Sequence, residues 1–319
     1  MSIRGRYNLQ NALRVLKDPS LVRGETRRLR KDALRANAYV SRLLNDEERV
    51  DVMAEEWDNL VILDACRYDM FATRANFGDR VTSKLSPGSE SWEFMRESFV
   101  GRELHDTVYV TSNPHAHKLP DGTFHAVVNL LDDHWNEEFR TVMPETMVER
   151  TLTAFEKYPD KRIITHFMQP HFPFIGEKGR KLGHAGIEMQ LDADEHSGEP
   201  HPWNALLYGE TTNRSAIIEA YVENLDVTLP HVERLVAELP GKSVVTADHG
   251  NLIGERTYPI PMRTYGHPGG LHKRELIEVP WAEIDADERR DVTAESPEVR
   301  EEMTDDVIED RLRNLGYAE

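Results

Sequence analysis

Cysteine is almost absent from this chain: Cys66 is the only one in 319 residues. That excludes an internal disulfide and any cysteine-rich zinc cluster. Lysine is scarce as well, 10 residues against 29 arginines, and the acids outnumber both, for a formal charge of −18. Strong net charge keeps a protein soluble at some cost in self-repulsion, which high salt screens. An acidic, lysine-poor, arginine-retaining composition is the one expected of a halophilic, salt-adapted cytoplasm. No apolar run approaches the ~18 residues that a membrane-spanning helix needs. The opening Met1-Ser-Ile-Arg-Gly-Arg-Tyr-Asn has no apolar core of signal-peptide length. The chain is therefore expected to be soluble and cytoplasmic.

What charge there is lies unevenly. Residues 1–44 carry 11 Arg or Lys and 3 acids, a net +8, so the remainder holds −26. A basic arm on an acidic body can meet anionic lipid headgroups or a partner, or it can pack on its own acidic domain. The overall acidity argues against a dedicated nucleic-acid binder. Leu9, Leu13 and Leu16 predict a helix over 8–18 that Pro19 ends, and a second arginine-rich helix over 24–44 follows. We divide the chain into a basic helical arm, residues 1–50, and a catalytic domain, residues 51–319.

Beyond the arm, strands alternate with helices, which predicts an α/β/α sandwich around a mostly parallel sheet. Strands are expected at Asn59–Asp64, Arg80–Leu85, Asp106–Thr111, Arg162–Met168 and Val244–Asp248, with a short edge segment at Leu276–Trp281. Helices are expected over 67–77, 91–99, 145–158 and 307–315, and over 212–239 with a break near Pro230. The stretch 115–143 resists placement. Residues 176–211 are rich in Gly, His, Asp and Glu and read as a long loop or lid. Residues 282–304 read as an exposed acidic loop.

Two strands carry the chemistry. Asn59-Leu-Val-Ile-Leu-Asp64 runs four apolar residues into an acid, and Ser243-Val-Val-Thr-Ala-Asp248-His249-Gly250 repeats the plan. Such strands deliver side chains to the carboxyl edge of the sheet, where open α/β sheets bind ligands. Hard divalent cations take carboxylate oxygen, and zinc or manganese also take imidazole. Asp64, Asp248 and His249 supply two oxygens and a nitrogen, and a hydroxyl from the 86–91 turn would complete four positions. His166 and His171 flank another strand end, and His267 sits in the glycine-rich turn Tyr265-Gly-His-Pro-Gly-Gly270. The free N–H groups opening the 91–99 helix would favour an anionic substrate. Cys66 is read as a small packing residue, because the nearby Asp64 carboxylate raises a thiol pKa rather than lowering it. Arg67 can clamp an anionic substrate or a neighbouring carboxylate.

These stretches resemble the alkaline phosphatase superfamily, in its sulfatase and phosphoglycerol-transferase-like branch. Val61-Ile-Leu-Asp64-Ala-Cys-Arg67-Tyr-Asp69 is similar to its opening motif, and Asp248-His249-Gly250-Asn-Leu-Ile-Gly254-Glu255 to its "Asp-His-Gly-x-x-x-Gly-Glu" signature. His166-Phe-Met-Gln-Pro-His171-Phe-Pro, Glu278-Val-Pro280 and Arg311-Leu-Arg-Asn-Leu-Gly-Tyr317 are similar to later segments. The resemblance runs from about residue 57 to 317 and implies that Asp64, Asp248 and His249 bind metal together with the nucleophile. By position that nucleophile is Ser91, with Ser89 the second choice. It also implies that His267 binds metal or the substrate anion, that His171 and His267 hold substrate oxygens or protonate the leaving group, and that His166 and Asn113 line the substrate site.

The departures narrow the reading. The Cys-x-Pro-x-Arg of formylglycine sulfatases is missing, Ala65 replaces the second Asp of the sulfatase pair, and Gln169 and His171 do not supply the second metal set of two-metal phosphatases. A single-metal site, as in lipoteichoic-acid-synthase-like transferases, is the nearer match. The expected function is a metal-dependent hydrolase or transferase acting on phosphate, or less readily sulfate, esters of small molecules or glycans. One divalent ion is expected, Mn, Zn, Mg or Ca. The alternatives are a non-catalytic scaffold on a degenerate sulfatase-like fold and a phosphomutase-type isomerase.

Overall fold

A computed structural model describes residues 20–77, 81–182, 201–298 and 304–316, with side chains from residue 24 onward. The expected helix at 8–18, residue Arg80, residues 183–200 of the 176–211 stretch and Tyr317 lie outside the described residues. Helix α1 spans Ser20–Leu44. Then follow β1 (Asn59–Asp64), α2 (Tyr68–Arg74), β2 (Val81–Leu85), α3 (Ser91–Phe99) and β3 (Leu104–Thr111). After a 3-10 turn at Pro114–Lys118 come β4 (Phe124–Asn129), α4 (Pro144–Lys157), β5 (Arg162–Pro170), α5 (Glu177–Lys181), α6 (Pro202–Tyr208) and α7 (Arg214–Glu238). The chain closes with β6 (Ser243–Ala247), β7 (Leu252–Thr257), β8 (Met262–Gly266), α8 (Arg274–Ile277), β9 (Glu278–Ile284) and α9 (Asp305–Asn314).

Seven strands form one sheet in the order β2-β9-β6-β1-β5-β3-β4, and β7 pairs with β8 in a separate hairpin. β9 alone runs against its neighbours β2 and β6. All six residues of β1 are buried, as a central strand covered on both faces requires. Alternation sorts the strand residues into two cores. Val61, Leu63, Val108, Val110, Ile163, Phe167, Val245 and Ala247 pack with residues of α4 and α7 on one face. Leu60, Ile62, Tyr109, Ile164 and Val244 pack with Phe94, Met95 and Phe99 of α3 on the other. This is the three-layer sandwich.

Three expectations change. The segment at 276–281 is not an edge: β9 lies between β2 and β6, and β2 takes the edge. Helix α7 is not broken at Pro230 but runs through it for 25 residues. A buried stripe including Leu225, Leu229, Val232 and Leu235 outweighs the roughly 3 kcal/mol that an interior proline costs. The 176–211 stretch is not all loop, since α5 and α6 lie within it. The stretch 115–143, left unplaced by pattern, supplies β4.

Helix α1 is bound to the hairpin and to the turn behind it by one stripe of residues. The Asn37 amide donates to Thr257 Oγ1 and to the Ile260 carbonyl at 2.9 Å each, and accepts from the Ile260 N–H at 2.8 Å. Ser41 Oγ accepts from the His272 N–H at 3.0 Å, and the Asn45 amide donates to the His272 carbonyl at 3.2 Å.

Candidate active site

Strand parity brings the polar residues together. Asp64 continues the side of Leu60 and Ile62, His166 that of Ile164, Asp248 that of Val244, and Asn113 that of Tyr109, all on the α3 face. Ser91 opens α3 over the same point. Its hydroxyl lies 3.1 Å from Asp64 Oδ2 and 3.3 Å from His249 Nε2. The Asn113 amide donates to Asp64 Oδ2 at 2.7 Å. His249 Nε2 stands 3.6 Å from Asp64 Oδ1 and 3.5 Å from Asp248 Oδ2, and His166 Nε2 stands 3.6 Å from Asp248 Oδ2. Asp64, Ser91, Asn113, His166, Asp248 and His249 are all fully buried.

The turns around these residues are built for close approach. Ala65 sits at a φ of 56°, in the left-handed region that few residues other than glycine adopt, and so aims its N–H at Asp248 Oδ1, 3.0 Å away. The His249 N–H reaches the same oxygen at 2.8 Å. Gly250 must be glycine, because a Cβ there would lie 2.2 Å from the Glu275 carbonyl oxygen. Burial alone would raise the Asp248 carboxyl, but His249, His166 and the Ala65 N–H outweigh it and hold the group below the usual carboxylate range.

Hydrogen bonds fix how the imidazoles present themselves. His249 Nδ1 lies 2.7 Å from the Gly250 carbonyl, which can only accept, so Nδ1 carries the proton and Nε2 offers a lone pair toward Asp64, Asp248 and Ser91. His171 Nδ1 is likewise bound to the Phe172 carbonyl at 2.6 Å, so its Nε2 accepts from His267 Nε2 at 2.9 Å. Burial, then the charges of neighbouring imidazoles, push His171 and His267 well below the ordinary histidine value. The His267 ring lies 4.6 Å, centre to centre, from that of His249. Of these residues His267 alone is partly exposed, so solvent meets the site there.

The donor set suits a divalent cation. One ligand atom each from Asp64, His166 and Asp248 lie within 4.8 Å of one another. Asp248 Oδ2 and His166 Nε2 are buried with no hydrogen-bond partner among the described residues. Two carboxylates that share a buried place with imidazole nitrogens form a set that could hold a divalent cation. His166, expected to line the substrate site, is by its geometry also a ligand candidate. Tyr109 OH, 2.8 Å from His166 Nδ1, orients it.

Other expected residues stand elsewhere. Ser89 turns away from the carboxylates: its hydroxyl donates to Glu93 Oε2 at 2.8 Å and its N–H to the same oxygen at 3.0 Å. Two of the helix N–H groups expected to attract substrate are taken, since the Glu90 carboxylate accepts from Trp92 N at 2.9 Å and Glu93 N at 2.8 Å. Arg67 is buried and committed. It grips Asp69 through Nε and Nη2 at 2.8 and 2.6 Å, and spends Nη1 on Glu255 at 2.7 Å and on the Asn251 carbonyl at 2.8 Å. Four of its five N–H donors are used, so it joins the two strand-end motifs rather than facing a ligand. Cys66 is buried, and burial followed by Asp248 and Asp69 pushes its thiol well above its ordinary value. His115 and Lys118, 2.9 Å apart on the 3-10 turn after Asn113, were not foreseen. The only signal for them was their position just past the end of β3.

No family model matches the chain, and no curated protein matches it. Solved structures do. It is similar to the integral membrane protein lipooligosaccharide phosphoethanolamine transferase A from Neisseria meningitidis, at 12% identity over 72% of this chain and 47% of that one, with a TM-score of 0.46. It is similar to the C-terminal periplasmic domain of EcEptC from Escherichia coli in complex with Zn, at 12% identity over 75% of each chain, TM-score 0.46. A third is a protein in the alkaline phosphatase superfamily from Vibrio parahaemolyticus, at 11% identity over 80% of this chain and 70% of that one, TM-score 0.40. The chain spans about half the length of the membrane transferase. At such distances the neighbours say nothing of what this chain acts on. No helix among the described residues is long and apolar enough to cross a membrane.

Proposed function

We propose that the protein is a metal-dependent phosphoric-ester hydrolase or transferase in which Ser91 is the nucleophile, and that residues 51–319 form its catalytic unit. One observation carries this reading: the Ser91 hydroxyl stands within hydrogen-bond reach of both Asp64 Oδ2 and the lone pair of His249 Nε2, beside the partnerless Asp248 Oδ2. Asp64, Asp248 and His249, with His166 as a fourth candidate, would hold the ion. When bound, a divalent cation there would acidify a hydroxyl and polarise a phosphoryl oxygen.

The chain's own residues do the rest. Ser91 Oγ attacks phosphorus and gives up its proton to Asp64 Oδ2 as the ester's P–O bond breaks, leaving a phosphoseryl enzyme and an alcohol. His267, at the solvent-facing side, is placed to turn its Nε2–H, which His171 Nε2 accepts here, toward the departing oxygen and hydrogen-bond it, while solvent supplies the alcohol's proton. The Asn113 amide, donating to Asp64, fixes which carboxylate oxygen faces Ser91. Water or an acceptor alcohol then releases the phosphoryl group. Phosphate is favoured over sulfate because the sequence lacks a formylglycine motif.

The test is metal content and turnover of aryl phosphate, bis-aryl phosphate and aryl sulfate, for wild type beside Ser91→Ala and Asp248→Asn. About one equivalent of metal is expected in wild type and little in Asp248→Asn. Ser91→Ala should lose about 10³-fold or more in kcat. Folded wild type that takes up no Mn, Zn, Mg or Ca and turns over none of the esters would overturn this reading in favour of a scaffold. Two equivalents would point to the phosphatase or mutase branch.

A further inference from the structure

The surface next to His267 is charged oppositely to the rest of the molecule. A groove of about 550 Å³ lies between α1, α6 and the glycine-rich turn at 266–270, with His267 and His201 in its lining. Helix α1 turns one stripe toward it: Lys31, Leu34, Arg35, Ala38, Tyr39 and Arg42. These positions share a helix face by spacing, beside the Asn37, Ser41, Asn45 stripe that ties α1 down. No lining residue is Asp or Glu, in a chain of net charge −18. All three cations of the lining, Lys31, Arg35 and Arg42, come from α1, in the basic stretch 1–44.

Two of the cations, Arg35 and Arg42, are well exposed. The Arg35 side chain is 71% exposed and its nearest carboxylate, on its own helix, is 3.7 Å away; that of Arg42 is 53% exposed and 3.9 Å from Glu93. Pairs this open are worth little. Arg42 also runs over the turn that carries His267: a Cβ on Gly270 would lie 3.5 Å from its Cδ. The opposite wall is aromatic and polar, with Trp203, Asn204 and Tyr208. His201 Nε2 is buried there without a hydrogen-bond partner among the described residues, and burial takes the ring to about 4, so it is uncharged at neutral pH.

We propose that this groove binds the non-reacting part of the substrate, and that this part carries at least one anionic group of its own, held by Arg35 and Arg42 of α1. The arm is then a wall of the binding site. Calling the ligand a substrate rests on Ser91 being the nucleophile; the charge selectivity of the groove does not.

Calorimetric titration of the full chain at low salt with fructose 1,6-bisphosphate and with fructose 6-phosphate tests it. The bisphosphate should bind at least about tenfold more tightly than the monophosphate. That preference should vanish in Arg35→Gln/Arg42→Gln, and persist in Arg96→Gln, which removes an exposed cation paired to Glu97 outside the groove. Equal binding of the two sugars, or a preference surviving in the double variant, overturns the proposal. Both arginines are exposed, so folding should hold; circular dichroism checks it, and the single variants should each lose part of the preference. Flotation with phosphatidylglycerol against phosphatidylcholine vesicles distinguishes the source of the second anion. Retention on the anionic vesicles that is lost in the double variant assigns it to a lipid headgroup, and no retention assigns it to a soluble ester. If no ester is turned over, the sugar preference still decides the groove, so the two readings fail separately.

Discussion

Arg67 shows how single residues do a different job from the one their type advertises. An arginine beside a metal-binding carboxylate invites a substrate role, yet this one ties Asp69 on one strand-end turn to Glu255 beyond the other. The same contact gives a physical reason why an Arg-x-Asp stretch and a Gly-Glu stretch accompany the two metal-ligand motifs here. Replacing Arg67 by Met should destabilise the fold by about 2–4 kcal/mol, below the full cost of breaking a buried pair because Asp69 stands partly in water. Urea unfolding measures that, and KM for an aryl phosphate should move less than about twofold. A large KM rise at unchanged stability would make Arg67 a substrate group after all. Glu93 gives a pH test. Burial alone would raise it, but His272 and the Ser89 hydrogen bonds outweigh that and hold it down at about 2, against an ordinary 4.5. A depressed carboxyl contributes stability that is present above the unfolded value and is lost as pH falls through the folded one. The stability gap between wild type and Glu93→Gln should therefore close as pH falls between 4.5 and 2. Urea midpoints across that range check the sign.

Elements position the catalytic groups through a few long contacts. On α7, Asn224 donates its amide to the carbonyls of Pro170 and His171 at 3.0 Å each and of Pro173 at 3.2 Å, and accepts from the Ile175 N–H at 2.9 Å. It holds the segment that carries His171. Asn224→Ala would strand buried carbonyls, costing about 1–3 kcal/mol. In protein still folded, kcat should fall several-fold with KM little changed; a KM effect alone would contradict a positioning role. At this scale the limits of sequence reading are also clear. The strands that bring Asp64, His166 and Asp248 to one edge were legible because burial on both faces writes itself as apolar runs toward that edge. Strand β4 was not, because its residues (Phe124-His-Ala-Val-Val-Asn129) mix polar and apolar side chains at a sheet edge. The capping of α3 by Glu90 was also invisible, since a Glu before a helix does not reveal which way its carboxylate turns. The uninterrupted path of α7 through Pro230 was decided by what the helix packs against, and that is tertiary information.

For the molecule as a whole, the site belongs to no local stretch of chain. Ser91 and His249 are 158 residues apart, Ala65 and Asp248 183, and Arg67 and Glu255 188. Contacts this remote in sequence form only after most of the chain entropy has been lost. An unfolded or half-formed chain thus offers an ion two separated carboxylates and no cage. The ion should accordingly leave the refolding rate nearly unchanged and slow unfolding, in stopped-flow and manual-mixing experiments with and without chelator. At a hundredfold excess over its dissociation constant the whole effect, about 2.7 kcal/mol, should appear as roughly a hundredfold slower unfolding. A metal-loaded molecule would then persist for long periods after the free ion has gone. The burial that closes Asp64, Ser91 and Asp248 from water would make the lifetime of an ion bound there a property of the fold rather than of its ligands alone.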